Sequence, residues 1–260
     1  MPAVAITSDQ LRRLAPAAKQ PIIDAVAKEA AAGVLDAYAI NTPLRACHFL
    51  SQTAHESDEF KTTVEYASGF AYEGRRDLGN TQPGDGKRFR GHGLIQNTGR
   101  ANHREFTRWM RQRNPKCPDF EAEPEKVAEF PWALLSALWY WSTRGLNGYA
   151  DRDDVETITR RINGGLNGFA DRKSKLLIAK SIWLISPEAE RPILRRVEKR
   201  IDDPNVRELQ TALNIGGYGP VTVDGWFFDQ TDTAVRKFQS ANGLLVDGVV
   251  GPKTWGALPL

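Results

Sequence analysis

Apolar or small residues recur at positions 46, 49, 50, 53 and 54, the period of one face of a helix. Pro43 suits the first turn of that helix. Upstream, Thr7 or Ser8 can cap a first helix through Leu11 and Leu14. Residues 25 to 38 are Ala-rich and predict another helix, interrupted at Gly33. Residues 67 to 100 lose the helical period and are rich in Gly, Asp and Asn, which predicts a long functional loop. Helices resume at 104–111, 127–142, 155–161 and 173–185. Trp132, Trp139 and Trp141 fall at helical spacing and read as core, because large aromatics are mostly covered.

The pattern changes at Ser186-Pro187. Residues 187–204 mix Arg195, Arg196, Lys199 and Arg200 with Glu198, Asp202 and Asp203, and read as a charged, partly helical linker with a solvated face. Beyond it lies a half-repeat. Val223-Asp224-Gly225 precedes Ala234-Val235-Arg236-Lys237-Phe238-Gln239, and Val246-Asp247-Gly248 precedes Thr254-Trp255-Gly256-Ala257-Leu258. Each Asp-Gly is a turn signal whose Gly supplies a positive φ, and each is followed by a short amphipathic helix. The expected organisation is a large domain over 1–186, the linker over 187–204 and a small three-helix domain over 205–260. The fold class is mainly α.

At 260 residues, 41% of them hydrophobic, the chain can bury a sizeable core. A net charge of +3 is too weak to argue for nucleic acid. No run approaches the roughly 20 apolar residues of a membrane span, so no membrane insertion is expected. The first nine residues lack a basic start followed by an apolar run, so no export signal is expected. Cys47 and Cys117 make no disulfide framework and suit a reducing cytoplasm. The histidines at 48, 55, 92 and 103 show no metal-ligand spacing, and neither a metal nor another cofactor is expected.

The candidate chemistry lies in Glu56 and Glu65. Glu56 follows Phe49 by seven positions and shares its stripe with Thr53. A carboxyl group on a buried stripe loses solvent, which favours the protonated form a general acid needs. Nine residues along a helix is two and a half turns, so Glu65 would face away if the helix continued. Ser57-Asp58 and Lys61-Thr62-Thr63 are places where the helix can end, letting Glu65 fold back across a cleft. An acid facing a carboxylate across a gap is the arrangement that hydrolyses a glycosidic bond.

Three blocks extend this reading: Ala54-His55-Glu56, then Gly91-His92-Gly93-Leu94-Ile95-Gln96-Asn97-Thr98-Gly99-Arg100-Ala101-Asn102, then Ile162-Asn163-Gly164-Gly165-Leu166-Asn167-Gly168 running to Asp171-Arg172. With them the first 185 residues resemble the family 19 glycoside hydrolases, in particular the phage endolysins of that group. The resemblance implies a lysozyme-like helical catalytic domain with Glu56 as acid, Glu65 as base and Thr98 orienting a water. It also implies that Gln96, Asn102, Asn163 and Arg172, with His55, serve the substrate site, and that the reaction inverts the anomeric carbon. Inversion needs carboxyl groups about 6.5–9.5 Å apart. His92 stands where the family usually has Arg, and His103 where Tyr is common.

From Val206-Arg207-Glu208-Leu209-Gln210 to Trp255-Gly256-Ala257-Leu258 the chain resembles the peptidoglycan-binding domain of bacterial and phage wall hydrolases, with Phe228-Asp229 where Phe-Gly is usual. The two resemblances imply a monomeric endolysin that cuts β-1,4 bonds of bacterial peptidoglycan. It would leave the host cytoplasm for the cell wall once a holin opens the membrane. A chitinase acting on chitin is the alternative within the same chemistry. A non-catalytic wall-binding protein is the alternative outside it, and the presence of Glu56, Glu65 and Thr98 weighs against it.

Overall fold

The structure, a computed structural model, describes residues 4–184 and 191–259. The chain forms two compact units, 1–184 and 185–260. Both are helical, and among the described residues extended pairing is limited to isolated bridges.

The first unit holds ten helices among its described residues: α1 (Ser8–Leu14), α2 (Gln20–Ala31), α3 (Val34–Ala37), α4 (Pro43–Glu56), α5 (Asp85–Arg88), α6 (Arg100–Arg111), α7 (Trp132–Thr143), α8 (Asn147–Ala150), α9 (Val155–Asn163) and α10 (Phe169–Trp183). Thr7 caps α1: its hydroxyl accepts from the Gln10 N–H at 3.2 Å while the Gln10 side chain accepts from the Thr7 N–H at 2.9 Å. Gly33 interrupts the Ala-rich stretch as expected, in a left-handed conformation between α2 and α3. The helix expected over 127–142 is split: a 3₁₀ turn spans Pro124–Ala128 and α7 starts after Pro131, whose missing N–H cannot continue a helix. Helix α6 starts four residues before the expected 104, at the end of the loop.

Helices α4 and α10 pack most extensively on each other and form the spine of the unit. From Ala46 to Ala54 every residue of α4 is buried, so its polar members lie among apolar neighbours such as Phe49 and Trp141. Trp139 and Trp141 are core residues, as their spacing suggested.

The long 67–100 segment is ordered by its own polar side chains. Buried Asn80 donates to the Tyr72 carbonyl at 2.9 Å and accepts from the Arg100 N–H at 2.9 Å. Glu73 accepts from the N–H groups of Gly84 and Gly86, each at 2.7 Å. Asp85 accepts from the N–H groups of Thr81 and Gln82, each at 2.9 Å, and pairs with Arg100. Burial works to raise the Asp85 carboxyl, but Arg100 and these N–H groups outweigh it and hold it below the usual carboxylate range.

The second unit has three helices among its described residues, α11 (Pro204–Ile215), α12 (Asp229–Ala241) and α13 (Pro252–Ala257), around Leu209, Phe227, Phe238 and Trp255. Its half-repeat is visible as a repeated hydrogen-bond set. The buried Gln210 amide accepts from the N–H of Asp224 and Gly225 and donates to Asp224 Oδ1, the Trp226 carbonyl and Thr231 Oγ1. The Gln239 amide accepts from the Gly248 N–H and donates to Asp247 Oδ1, the Val249 carbonyl and Thr254 Oγ1. Gly225 and Gly248 take the expected positive φ, 73° and 72°. Phe228 stacks on Trp226 at 4.4 Å, and Asp229 pairs with Arg196 at 2.6 Å.

Of the expected linker, 187–190 lie outside the described residues. Residues 191–203 carry no helix and are tied to the second unit. Leu194 bridges to Val250, and the Val197 N–H donates to the Phe227 carbonyl at 2.9 Å. The Trp255 indole donates to the Pro192 carbonyl at 2.9 Å. The charges of this strap also serve the attachment, since Arg191 pairs with Glu208 at 2.9 Å and Arg196 with Asp229 at 2.6 Å.

Candidate active site

Helix α4 ends at Glu56 because Ser57 stops it. The Ser57 hydroxyl donates to the Thr53 carbonyl at 2.7 Å and accepts from the Phe60 N–H at 3.1 Å. Asp58, Glu59 and Phe60 then adopt φ of 48°, 59° and 56°, three successive left-handed residues that turn the chain back. That conformation is costly without glycine, and the fully buried Phe60 side chain holds it in place. The reversal brings Val64 beside His92, and the Glu65 N–H donates to the Gly91 carbonyl at 2.9 Å.

Glu56 and Glu65 thereby line one open groove of about 760 Å³. Glu65 accepts from the Tyr72 phenol at 2.8 Å through Oε1 and from the Gly91 N–H at 2.9 Å through Oε2. Partial burial, then the bond to Glu65, push the Tyr72 phenol up to about 12, so it remains a donor at neutral pH. Glu56 Oε1 accepts from Arg172 at 2.5 Å, while Oε2 has no bonding partner among the described residues.

Arg172, expected in the substrate site, is bonded to Glu56 but does not line the groove: it is 1% exposed and stands behind that carboxyl group. Its other nitrogens donate to Gln52 Oε1 at 2.6 Å and to the Asn167 carbonyl at 3.3 Å. With its other two nitrogens anchored to Gln52 and Asn167, the guanidinium presents one fixed donor to one oxygen of Glu56. It also offsets the unfavourable meeting of a carboxylate with the C-terminal end of α4.

The other expected residues all line the groove. His55 bonds Asp171 at 2.6 Å. Gly168, φ 69°, is required beneath it, since a Cβ there would lie 2.4 Å from the imidazole Cε1. Gln96 donates to the Gly93 carbonyl at 2.9 Å, and Asn102 to the Thr98 carbonyl at 2.8 Å. Thr98 donates to the Gln96 carbonyl at 2.9 Å, which leaves its oxygen lone pairs for a donor in the groove. Asn163 ends α9 and is exposed at the groove.

Tyr72, Gln52 and Lys175 were missed by the sequence reading. Lys175 lines the groove and bonds Glu59 and Asp171, each at 3.1 Å. Burial pulls its ammonium down, but the two carboxylates outweigh this and raise it above the ordinary value. A polar residue one turn before Glu56 on a buried stripe was the available signal for Gln52. Tyr72 had none beyond its place in the loop.

The other three histidines are buried away from the groove. His48 is buried against Asp153 at 2.8 Å. His92 and His103, the two departures from the family pattern, bond each other at 3.2 Å. Burial, and Arg90 beside it, lower His92 to about 4, and burial lowers His103 to about 3.

Residues 202–258 match the family described as "Putative peptidoglycan binding domain". A Haemophilus influenzae protein named glycosyl hydrolase family 19 domain-containing protein is 36% identical over 108 residues, 41% of this chain and 48% of that protein. An uncharacterised protein of Kitasatospora aureofaciens is 48% identical over 54 residues, 20% of this chain and 46% of that protein. The chain spans about half the length of these curated relatives. Chitinase C of Streptomyces griseus HUT6037 superposes with a TM-score of 0.55 at 19% identity, covering 70% of this chain and 94% of that one. The chain thus shares the lysozyme-like helical fold of that structure.

Proposed function

We propose that the chain is a glycoside hydrolase that cuts β-1,4 bonds in the glycan of bacterial peptidoglycan. One observation carries the reading. Two carboxylates from separate elements, the end of α4 and the strand-like segment at 64–65, are presented to one groove, each fixed by its own partners. In an inverting reaction Glu56 acts in its protonated form: Oε1 stays on Arg172, and a proton carried on Oε2 passes to the leaving glycosidic oxygen. A water attacks the anomeric carbon from the opposite face, and Glu65 takes the proton that water loses. Thr98 accepts a hydrogen bond from that water. His55, Gln96, Asn102 and Asn163 offer the donors and acceptors that sugar hydroxyls need.

The family match at 202–258 supports a wall-binding role for the second unit, which would raise the local concentration of substrate. Together the two units make an endolysin, a monomer made in the host cytoplasm of a phage infection. It would reach the wall after a holin opens the membrane and would cause lysis.

A second reading, hydrolysis of chitin, is favoured by the likeness to the S. griseus protein, which is named a chitinase. One experiment separates the readings. Wild type and Glu56→Gln are incubated with purified sacculi and with colloidal chitin, and new reducing ends and bound protein are both measured. Release from sacculi by wild type, lost in Glu56→Gln while binding persists, is the expected result. Release from chitin alone would favour the second reading, and equal release by the variant would remove Glu56 from the acid role.

A further inference from the structure

We propose that Tyr66 is an aromatic platform on which a sugar ring of the glycan strand stacks, at the Glu65 side of the groove. The inference rests on the glycan-hydrolase reading and adds a subsite to it. Large aromatic side chains of the first unit are covered, with two exceptions among the described residues: Tyr66, 73% exposed, and Phe70, 76% exposed. Both lie in the seven residues from Tyr66 to Tyr72 that follow the proposed base, and Tyr66 itself lines the groove. Phe70 is not part of the groove lining, which leaves Tyr66 as the one largely exposed aromatic ring among the described residues that line it.

The Tyr66 ring is also held. Its phenol donates to Asp58 Oδ2 at 3.0 Å, and Asp58 is fixed in turn by Lys61 at 3.2 Å. Asp58 is the first of the three left-handed residues that return the chain to the groove. An exposed ring tethered at its tip has little rotational freedom left to lose when a ligand covers its face. Pyranose rings present a flat array of C–H bonds on one side. Such a face packs on an aromatic ring while its hydroxyls turn to the amides of Gln96 and Asn102 on the same groove.

The test measures binding apart from turnover. The full-length Glu56→Gln protein is titrated calorimetrically with the β-1,4-linked hexamer of N-acetylglucosamine, alone and with Tyr66→Ala or Tyr66→Phe added. The Ala double variant is expected to bind about tenfold more weakly, a loss typical of one stacked ring. The Phe double variant, which keeps the ring and loses the tether, should fall between. Equal affinity of the Ala variant and its parent would overturn the platform. So would a Phe variant as weak as the Ala variant, since the hydroxyl would then be the binding group. Failure of the parent to bind the hexamer at all would overturn the platform, while release of reducing ends from sacculi by the wild type would leave the glycan reading standing. Hexamer binding with no hydrolysis of any glycan by the wild type would sink the catalytic reading alone.

Discussion

The two units bury polar groups over very different lengths of chain. In the second unit each glutamine of the half-repeat finds its partners nearby, 14 to 21 residues on for Gln210 and 8 to 15 for Gln239. In the first unit Arg172 reaches Glu56 and Gln52 across 116 and 120 residues. A short closure can form as a local cassette and be copied, whereas a long one exists only after α4 and α10 have docked. The second unit can therefore be assembled from repeated parts. The groove cannot, because its central ion pair depends on the packing of the whole unit.

That contrast gives the largest expected effect. Arg172→Leu leaves Glu56 and Gln52 facing an apolar side chain beneath the groove. Removing one partner of a buried pair typically costs about 3–5 kcal/mol. The first unit should therefore melt well below the wild type in a thermal scan, and hydrolysis should be lost along with its stability. Arg172→Lys restores the charge without the fork and should recover stability more than rate, because one ammonium cannot reach Glu56, Gln52 and the Asn167 carbonyl in the same fixed geometry. A Leu variant as stable as wild type would mean that the long-range pair does not underpin the unit.

The cassettes supply the next effect in size. Gln210→Leu strands the N–H groups of Asp224 and Gly225, while Gln239→Leu strands the Gly248 N–H. Unmet buried polar groups cost about 1–3 kcal/mol each, so both variants should destabilise the second unit, with Gln210→Leu worse by about 1 kcal/mol. Hydrogen exchange of the amides at 204–257 in rising urea, resolved by peptide mass spectrometry, reads this apart from the first unit. The reverse order would show that the two halves are not energetically equivalent cassettes.

The same distances explain what could be read from the sequence. The half-repeat, its Asp-Gly turns and the Thr7 cap announce themselves because signal and partner lie close together. The end of α4 near Ser57 was legible for the same reason, since a short hydroxyl competes with the helix it sits on. Arg172 was recognised as a residue of the site but placed on its surface. Nothing local distinguishes an arginine that faces substrate from one that supports a carboxylate from behind. The strap at 191–203 reads as linker because a charge run suggests solvent, whereas its partners Glu208, Asp229 and Val250 lie 17 to 56 residues on.

Tyr72 gives the smallest and most local test. It lies seven residues beyond Glu65, within cassette range, yet it serves the groove. Tyr72→Phe removes one of two bonds that hold Glu65 and leaves the Gly91 N–H in place. The side chain is partly exposed on a 3₁₀ turn, so the fold should tolerate the change. Losing one hydrogen bond to a charged group, about 1.5 kcal/mol, predicts a fall of about tenfold in kcat. KM should change little, since the bond orients the base and touches no sugar. A rise in KM with kcat preserved would reassign Tyr72 to binding. Its contact with Glu65 would then be a feature of the empty groove, and proximity in sequence would have no bearing on how the base is held.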